Sequence, residues 1–285
     1  MKKALSIILV LSLIAGVVLA FSACSGKSEK IVIAVPNDTT NEARALLLLE
    51  SIGCIKLKEG AGITATILDI AENPHGIEFK EVEAAQLPNV LKDVDYAVIN
   101  SNYAIAAGLD PVTQALTQEG SASAYSNIVA VKEGNETNPL VLALVAALKS
   151  QGVADFIAQK YNGSVVSVVD SPLADGLDAA VDYEALKGQS ISVAASPAPH
   201  AEILAVAKEI LAEKEITLDI QEFTDYVIPN TVVEDGSVLA NYFQHTPYLD
   251  DFNAERGTHI VSVASIHVEP LGIYGGTQTS LDAIK

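Results

Sequence analysis

Apolar residues fall along this chain in short blocks separated by turn residues. Ile31-Val32-Ile33-Ala34-Val35 is a continuous apolar run of strand length, the pattern of a strand buried on both faces. Pro36-Asn37-Asp38-Thr39-Thr40 supplies a turn. Asn41 to Ile52 then reads as a helix, with Thr40 or Asn41 as N-cap and Gly53 stopping it. Strand, turn and helix in this order begin a βαβ unit. Further strands are predicted at Thr64–Ile67, Ile77–Glu81, Tyr96–Ile99 and Ile128–Val131. Helices are predicted at Ala84–Leu91, Ala104–Gly108, Pro139–Gln151 and Val153–Tyr161. Ser167–Lys187 is less regular, carries Asp170-Ser171-Pro172 and Asp175-Gly176, and reads as a connector. The pattern then restarts, with a strand at Ile191–Ala194, a turn at Ser196–Pro199, a helix at Ala201–Ala212 and a strand at Thr217–Phe223. Two α/β runs predict two lobes, with ligand bound where loops converge beyond the carboxyl ends of the strands.

The start of the chain follows a different pattern. Met1-Lys2-Lys3 precedes an apolar run from Ala4 to Phe21, which ends in Ser22-Ala23-Cys24-Ser25. Basic residues, an apolar core and small residues before a cysteine make an export signal with a lipid-attachment site at Cys24. Phe21 stands where such a site usually has Leu, and the run is long enough to span a bilayer if left uncut. Residues 1–23 are therefore set aside as signal and 24–29 as tether. The rest of the 285 residues suffices for one large domain or two lobes.

The formal charge is −19, and the signal contributes only Lys2 and Lys3 on the positive side. A body this acidic will not bind nucleic acid by neutralising phosphates, nor lie flat on anionic lipid. With Cys24 lipidated, Cys54 has no partner and reads as a buried, inert thiol, so no disulfide framework is expected.

Candidate chemistry is sparse. Arg44, in the first turn of its predicted helix, suits a carboxylate, although a helix arginine more often pairs at the surface with a nearby Glu. Asn100 ends a predicted strand and Asn127 precedes another. Such amides can accept from an ammonium and donate to a carboxylate, or simply shape turns. Tyr226, Phe243, His245 and Tyr248 form an aromatic group that fits either core packing or the wall of a dry slot. His75, His200, His259 and His267 are scattered without metal-ligand spacing, so no metal is expected. No GxSxG, phosphate loop or GxGxxG occurs, so neither cofactor nor enzyme activity is expected, and Gly275-Gly276 reads as a loop rather than a phosphate cradle.

Four long motifs then point to a family. Pro36-Asn37-Asp38-Thr39-Thr40-Asn41-Glu42-Ala43-Arg44-Ala45-Leu46-Leu47-Leu48-Leu49 resembles a signature of the methionine-binding lipoproteins of ABC importers. Ala97-Val98-Ile99-Asn100-Ser101-Asn102-Tyr103-Ala104, Glu222-Phe223-Thr224-Asp225-Tyr226-Val227-Ile228-Pro229-Asn230 and Ala240-Asn241-Tyr242-Phe243-Gln244-His245-Thr246-Pro247-Tyr248-Leu249 are similar to others. Thr39 stands where the family often has Pro, and Ala43 where it often has Gly.

The order of segments departs from the family. There, the segment resembling Ser196–Glu202 lies near the mature N-terminus, and the Pro36–Arg44 segment follows the His267–Gly272 segment. The chain thus resembles a circular permutant, opened between Lys285 and Lys30 and joined through Ser167–Lys187. Surface ends and a new linker are compatible with such a rearrangement.

The resemblance implies a two-lobed α/β fold of the periplasmic-binding-protein kind, in permuted order. One lobe would be residues 30–133 completed by 271–285, and the other 134–270. Crossover strands near Ile128–Val131 and Val268–Tyr274 would form the hinge. It also implies that Arg44 binds the ligand's carboxylate, that Asn100 and Asn127 bind its polar groups, and that Tyr226, Phe243, His245 and Tyr248 wall its side chain. The ligand would be L-methionine or a similar amino acid, or less simply a small peptide. The partners would be an ABC permease and its ATPase, and the location a lipid anchor on the extracytoplasmic face of the cell membrane. A surface lipoprotein acting only as an interaction protein is the alternative from another class.

Overall fold

The apolar run at Ile31–Val35 forms β1 (Val32–Pro36), whose last four residues are buried. The computed structural model describes residues 30–120 and 125–285, and the expected signal, tether and lipidated Cys24 lie outside the described residues. After β1 come β2 (Lys56–Leu57), β3 (Ile70–Glu72), β4 (Glu78–Val82), β5 (Tyr96–Ile99) and β6 (Ala115–Gln118). β7 (Asn127–Lys132), β8 (Val166–Ser167), β9 (Ser190–Ala195), β10 (Thr217–Glu222), β11 (Ala240–His245), β12 (Ile260–Val268) and β13 (Gly272–Gly275) follow.

The long strands make two sheets, ordered β4-β1-β5-β13-β6 and β10-β9-β11-β7-β12-β8. In the first, β4, β1 and β5 are parallel and β13 is antiparallel to β5. In the second, β10, β9 and β11 are parallel and β7 is antiparallel to β11. Both sheets therefore repeat one plan, three parallel strands and then an antiparallel one. β7 opens the second sheet after the chain leaves the first, and β13 rejoins the first after the chain returns. The chain crosses between sheets twice, between β6 and β7 and again at 269–271.

This pairing moves the boundary read from sequence. β7 lies wholly in the second sheet, between β11 and β12, so the change of lobe comes before Asn127 and not at Glu133. Ile128–Val131 is a central strand of that sheet rather than a crossover. An apolar run reports burial but not which sheet buries it, which explains the misplacement.

Side-chain alternation covers both faces of the first sheet. Ile33 and Val35 of β1, with Tyr96 and Val98 of β5, pack among Leu46, Leu49 and Ile284. Ala34, Ala97 and Ile99 face the other way, among Leu87, Tyr103 and Tyr274. Both faces being covered is the condition under which parallel strands read as continuous apolar runs. The second lobe has its own core, in which Val141, Leu144 and Leu148 meet Val193, Leu204 and Ile266.

Local chemistry shifts several elements from their expected places. The first helix runs Thr39–Ser51, capped by Asp38, whose Oδ1 accepts from the Asn41 N–H at 3.0 Å. The cap is therefore Asp38 and not Thr40 or Asn41, and Arg44 stands in the second turn rather than the first. Gly53, at φ +79°, then lets the chain turn away. The strand expected at Thr64–Ile67 is instead two short helical turns, Gly62–Thr64 and Ile67–Asp69. Thr66 and Asp69 exchange side-chain-to-backbone hydrogen bonds there, and this capping box wins over the β-branched residues. Cys54 is fully buried, and burial pushes its thiol pKa up to about 11, which removes its reactivity. Gly275-Gly276 is packed backbone: the Gly276 N–H donates to the Asp95 carbonyl at 2.9 Å, and a Cβ there would fall 2.0 Å from the Leu91 carbonyl oxygen. No helix among the described residues is long and apolar enough to cross a membrane.

The connector is built into the second lobe. Its start, β8, pairs with β12, and Leu173 bridges to Ser150. Gly176 sits at φ +70°, where a Cβ would come 2.9 Å from Ser150 Cβ and 3.1 Å from Ile210 Cδ1. Replacing Gly176 by Ala combines a left-handed backbone with overpacking. We expect Gly176→Ala to lower unfolding free energy by about 1–3 kcal/mol in denaturant titration. An unchanged midpoint would mean that the connector does not hold this packed conformation.

Candidate ligand-binding site

Four parallel-strand ends, the start of β7 and the second crossing converge on one cavity. The turn after β1 delivers Asn41 and Arg44, and the turn after β5 delivers Asn100, Ser101 and Asn102. The end of β11 delivers Phe243, Gln244 and His245, followed by Tyr248. Tyr226 follows β10, Asn127 begins β7, and Glu269 stands on the second crossing. These residues line about 340 Å³ of space not filled by atoms, part of it open to solvent. The structure thus brings together all seven residues named from sequence: Arg44, Asn100, Asn127, Tyr226, Phe243, His245 and Tyr248. It adds Asn41, Ser101, Asn102, Gln244 and Glu269. All five additions lie inside motifs already quoted from the sequence, so their proximity to Arg44, Asn100, His245 and the His267–Gly272 segment was the available signal.

Arg44 is buried, and its surroundings explain how. Its Nε lies 2.9 Å from both Glu119 carboxylate oxygens, its Nη2 also bonds Glu119, and Nη2 donates to the Glu269 carbonyl at 3.1 Å. The guanidinium stacks on Tyr125, 4.4 Å from the ring centroid. A carboxylate partner and a ring face are what a buried guanidinium requires. The pairing with a neighbouring Glu that the sequence left open therefore does occur, inside the protein, with Arg44 still lining the cavity.

A chain of amides sets the orientation of Asn100. Asp38 Oδ1 can only accept, and it takes the Asn41 Nδ2–H at 2.7 Å. Asn41 Oδ1 then accepts from Asn100 Nδ2 at 2.8 Å. Asn100 Oδ1 is thereby fixed as an acceptor, and it is buried without a hydrogen-bond partner among the described residues.

The aromatic wall joins the two lobes. Tyr226 lies 5.9 Å from Phe243 and 5.7 Å from Tyr248, centroid to centroid. Its hydroxyl donates to Asn102 Oδ1 at 2.7 Å, while the Tyr103 hydroxyl donates to the Thr224 carbonyl at 3.2 Å. Burial holds the Tyr226 hydroxyl protonated, and the buried Tyr103 hydroxyl beside Asp225 behaves likewise. Both hydroxyls therefore remain donors across the seam. The His245 imidazole is driven well below its usual pKa by burial and by the Arg44 charge, so it is neutral, and its Nδ1 accepts from the Tyr248 N–H at 3.3 Å.

Behind the cavity the fold gathers two histidines that look scattered in sequence. His200 and His267 stand 5.0 Å apart, centroid to centroid, beside Glu269. Glu269 Oε1 lies 3.4 Å from His200 Nε2 and 3.3 Å from His267 Nε2. Burial holds Tyr242 protonated and its hydroxyl hydrogen-bonds His267 Nδ1; with the hydroxyl as donor, the His267 proton sits on Nε2 facing Glu269. His200 Nε2 also lies 2.8 Å from Asn127 Oδ1. One ligand atom from each of His200, His267 and Glu269 comes within 4.8 Å of the others, a donor set that could hold a metal. The hydrogen bonds just described account for both Nε2 atoms without one.

The class defined by this fold and cleft is a two-lobed α/β protein with its cavity between the lobes. The chain belongs to the NlpA lipoprotein family, whose model matches residues 26–169 and 191–285. Among curated relatives, the membrane lipoprotein TpN32 of Treponema pallidum is 46% identical over 48% of this chain and 51% of its own length. The D-methionine-binding lipoprotein MetQ of Yersinia pestis is 42% identical over 47% of this chain and 50% of its own. The chain thus spans about half the length of the curated relatives it matches. A nutrient-binding protein from Burkholderia cenocepacia, solved bound to methionine, aligns at 48% identity with a TM-score of 0.47, covering 50% of this chain and 61% of that one.

Burial sets an acid limit on this site. His200 and His267 are pushed down to about 3 by burial, so the folded protein leaves them neutral where the unfolded chain protonates them. Stability should therefore fall as pH drops from the ordinary imidazole pKa of about 6.5 toward the depressed values. Asp38 and Glu269, raised by burial, take up protons first in the folded state and oppose this fall at lower pH. We expect His267→Gln to flatten the decline in melting temperature between about pH 6.5 and pH 5. A decline as steep as wild type would show that His267 is not the group responsible.

Proposed function

We propose that this chain is the solute-binding lipoprotein of an ABC importer, capturing methionine between its two lobes and passing it to a membrane permease driven by an ATPase. The observation that carries this reading is the single cavity that joins Arg44, Asn100 and Asn127 to the aromatic wall of Tyr226, Phe243, His245 and Tyr248. The polar end suits an amino acid's two charges, and the aromatic wall suits a thioether. Relatives named as D-methionine-binding lipoproteins support the choice of side chain. Cys24 would carry the lipid, with the protein on the extracytoplasmic face. No chemistry on the ligand is proposed.

The magnitudes are sufficient. Burying a methionine side chain contributes about 1.5–3 kcal/mol. Charge-assisted hydrogen bonds add about 1.5–3 kcal/mol each. Immobilising the ligand costs several kcal/mol. A micromolar constant, about −8 kcal/mol, is within this range.

The test is mass spectrometry of the small molecule released on denaturing protein purified from cells without added ligand. Methionine at near one per chain is expected, and titration with each enantiomer then assigns the hand, expected to be L. A different amino acid would overturn the methionine assignment but keep the receptor reading. An empty protein that fails to bind methionine after refolding would favour an interaction lipoprotein. Arg44→Ala should weaken methionine binding about 100-fold or more, and unchanged affinity would remove Arg44 from the site.

We also infer that the segments stand in permuted order relative to the family. Each of these relatives aligns with only about half of this chain, although the family model matches most of it. Ile31 and Ile284 belong to one hydrophobic cluster, so the two ends that the permutation separates pack into the same core. A rebuilt chain that keeps the whole connector, in which residues 171–285 run directly into 30–170, should fold and keep the ligand affinity. Failure to fold would overturn the permutation.

A further inference from the structure

We propose that Glu269 is a specificity-determining residue whose carboxylate, together with Asn100 Oδ1, takes up the free ammonium group of the ligand. This rests on the reading of the cavity as an amino-acid site and adds which end of the ligand Glu269 selects.

Two buried acceptors with unmet hydrogen-bonding capacity line the cavity. Asn100 Oδ1 and Glu269 Oε2 both lack a hydrogen-bond partner among the described residues. Asn100 cannot flip to cover its deficit, because the chain from Asp38 through Asn41 uses its Nδ2. Glu269 cannot turn away, because the His200 and His267 imidazoles face its Oε1 at 3.4 and 3.3 Å. Its side chain is 8% exposed. A buried acceptor left unpaired is costly, and a buried carboxylate more so.

Charge matching narrows the missing group. Arg44 is already paired with Glu119 through two of its nitrogens. Arg44 donates to Glu269 only at its backbone carbonyl, and although the Arg44 charge and the Asn102 N–H both favour the ionised carboxyl, Oε2 is left without a hydrogen bond. The imidazoles beside it are neutral, as burial dictates. The site therefore offers a buried carboxyl oxygen without a donor next to a neutral amide acceptor, and a cationic donor would satisfy both. A primary ammonium supplies one positive charge and three donors, enough for both acceptors. An acylated nitrogen supplies a single donor and no charge, and would leave the carboxylate unpaired. A free amino acid or a peptide N-terminus satisfies the site, whereas an N-blocked amino acid does not.

The experiment is calorimetric titration of the purified, ligand-stripped protein with methionine, with N-acetylmethionine and with methylthiobutanoate, which lacks the amine. Wild type should bind both amine-deficient compounds about 10- to 100-fold more weakly than methionine. Glu269→Gln should lose about 10- to 100-fold for methionine and little for methylthiobutanoate, so that the two ligands converge. The wild-type comparison needs no variant and stands even if Glu269→Gln folds poorly. Equal binding of methionine and methylthiobutanoate by wild type would overturn the proposal. So would equal losses for both ligands in Glu269→Gln, or no loss for methionine. In these cases methionine still binds, so the receptor reading survives. A wild-type protein that binds no free amino acid would overturn both readings.

Discussion

A guanidinium buried in the seam between the two sheets organises this molecule. Arg44 comes from the helix after β1, yet its partners stand on the two crossings between sheets: Glu119 and Tyr125 on the first, the Glu269 carbonyl on the second. Removing one partner of such a buried pair leaves the other charge uncompensated, so the arrangement resists partial opening. One side chain thus ties a strand-end helix to both points at which the chain passes between lobes. The ligand cavity forms around that tie, and any motion of the lobes must be accommodated at the same two crossings.

The repeated sheet plan explains why the site is polar and yet buried. Parallel strands deliver their turns to one edge of each sheet, and the two edges meet. Those turns bring asparagines and a capped helix end from the first lobe, and aromatic rings from the second. Cross-seam bonds from Tyr226 to Asn102 and from Tyr103 to Thr224 hold the edges together. The polar groups are arranged in chains with a fixed sense. Asp38 sets Asn41 and Asn41 sets Asn100, while Tyr242 sets His267, which faces Glu269. The first chain starts from a carboxylate oxygen that accepts, and both end in an acceptor that lines the cavity. Such one-way networks give a binding site its orientation before a ligand arrives.

Sequence by itself determined the strand–turn–helix units, because continuous apolar runs at Ile31–Val35 and Ile191–Ala194 and the punctuation after them have few alternative readings. It also marked Arg44, Asn100, Asn127 and the four aromatic residues, since buried amides and rings next to strand ends are locally visible, and the four long motifs carried the family. Only the tertiary structure decided the rest. It assigned β7 to the second sheet, because strand partners are chosen by long-range pairing that an apolar run does not encode. It turned Thr64–Ile67 into helical turns through the Thr66–Asp69 capping box. It gave Arg44 its internal partner across 75 residues and brought His200, His267 and Glu269 together from distant segments. Interactions that depend on which surfaces meet leave no periodicity in the chain. The acceptors of Asn100 and Glu269 became recognisable only when the folded network showed which of their atoms were already used.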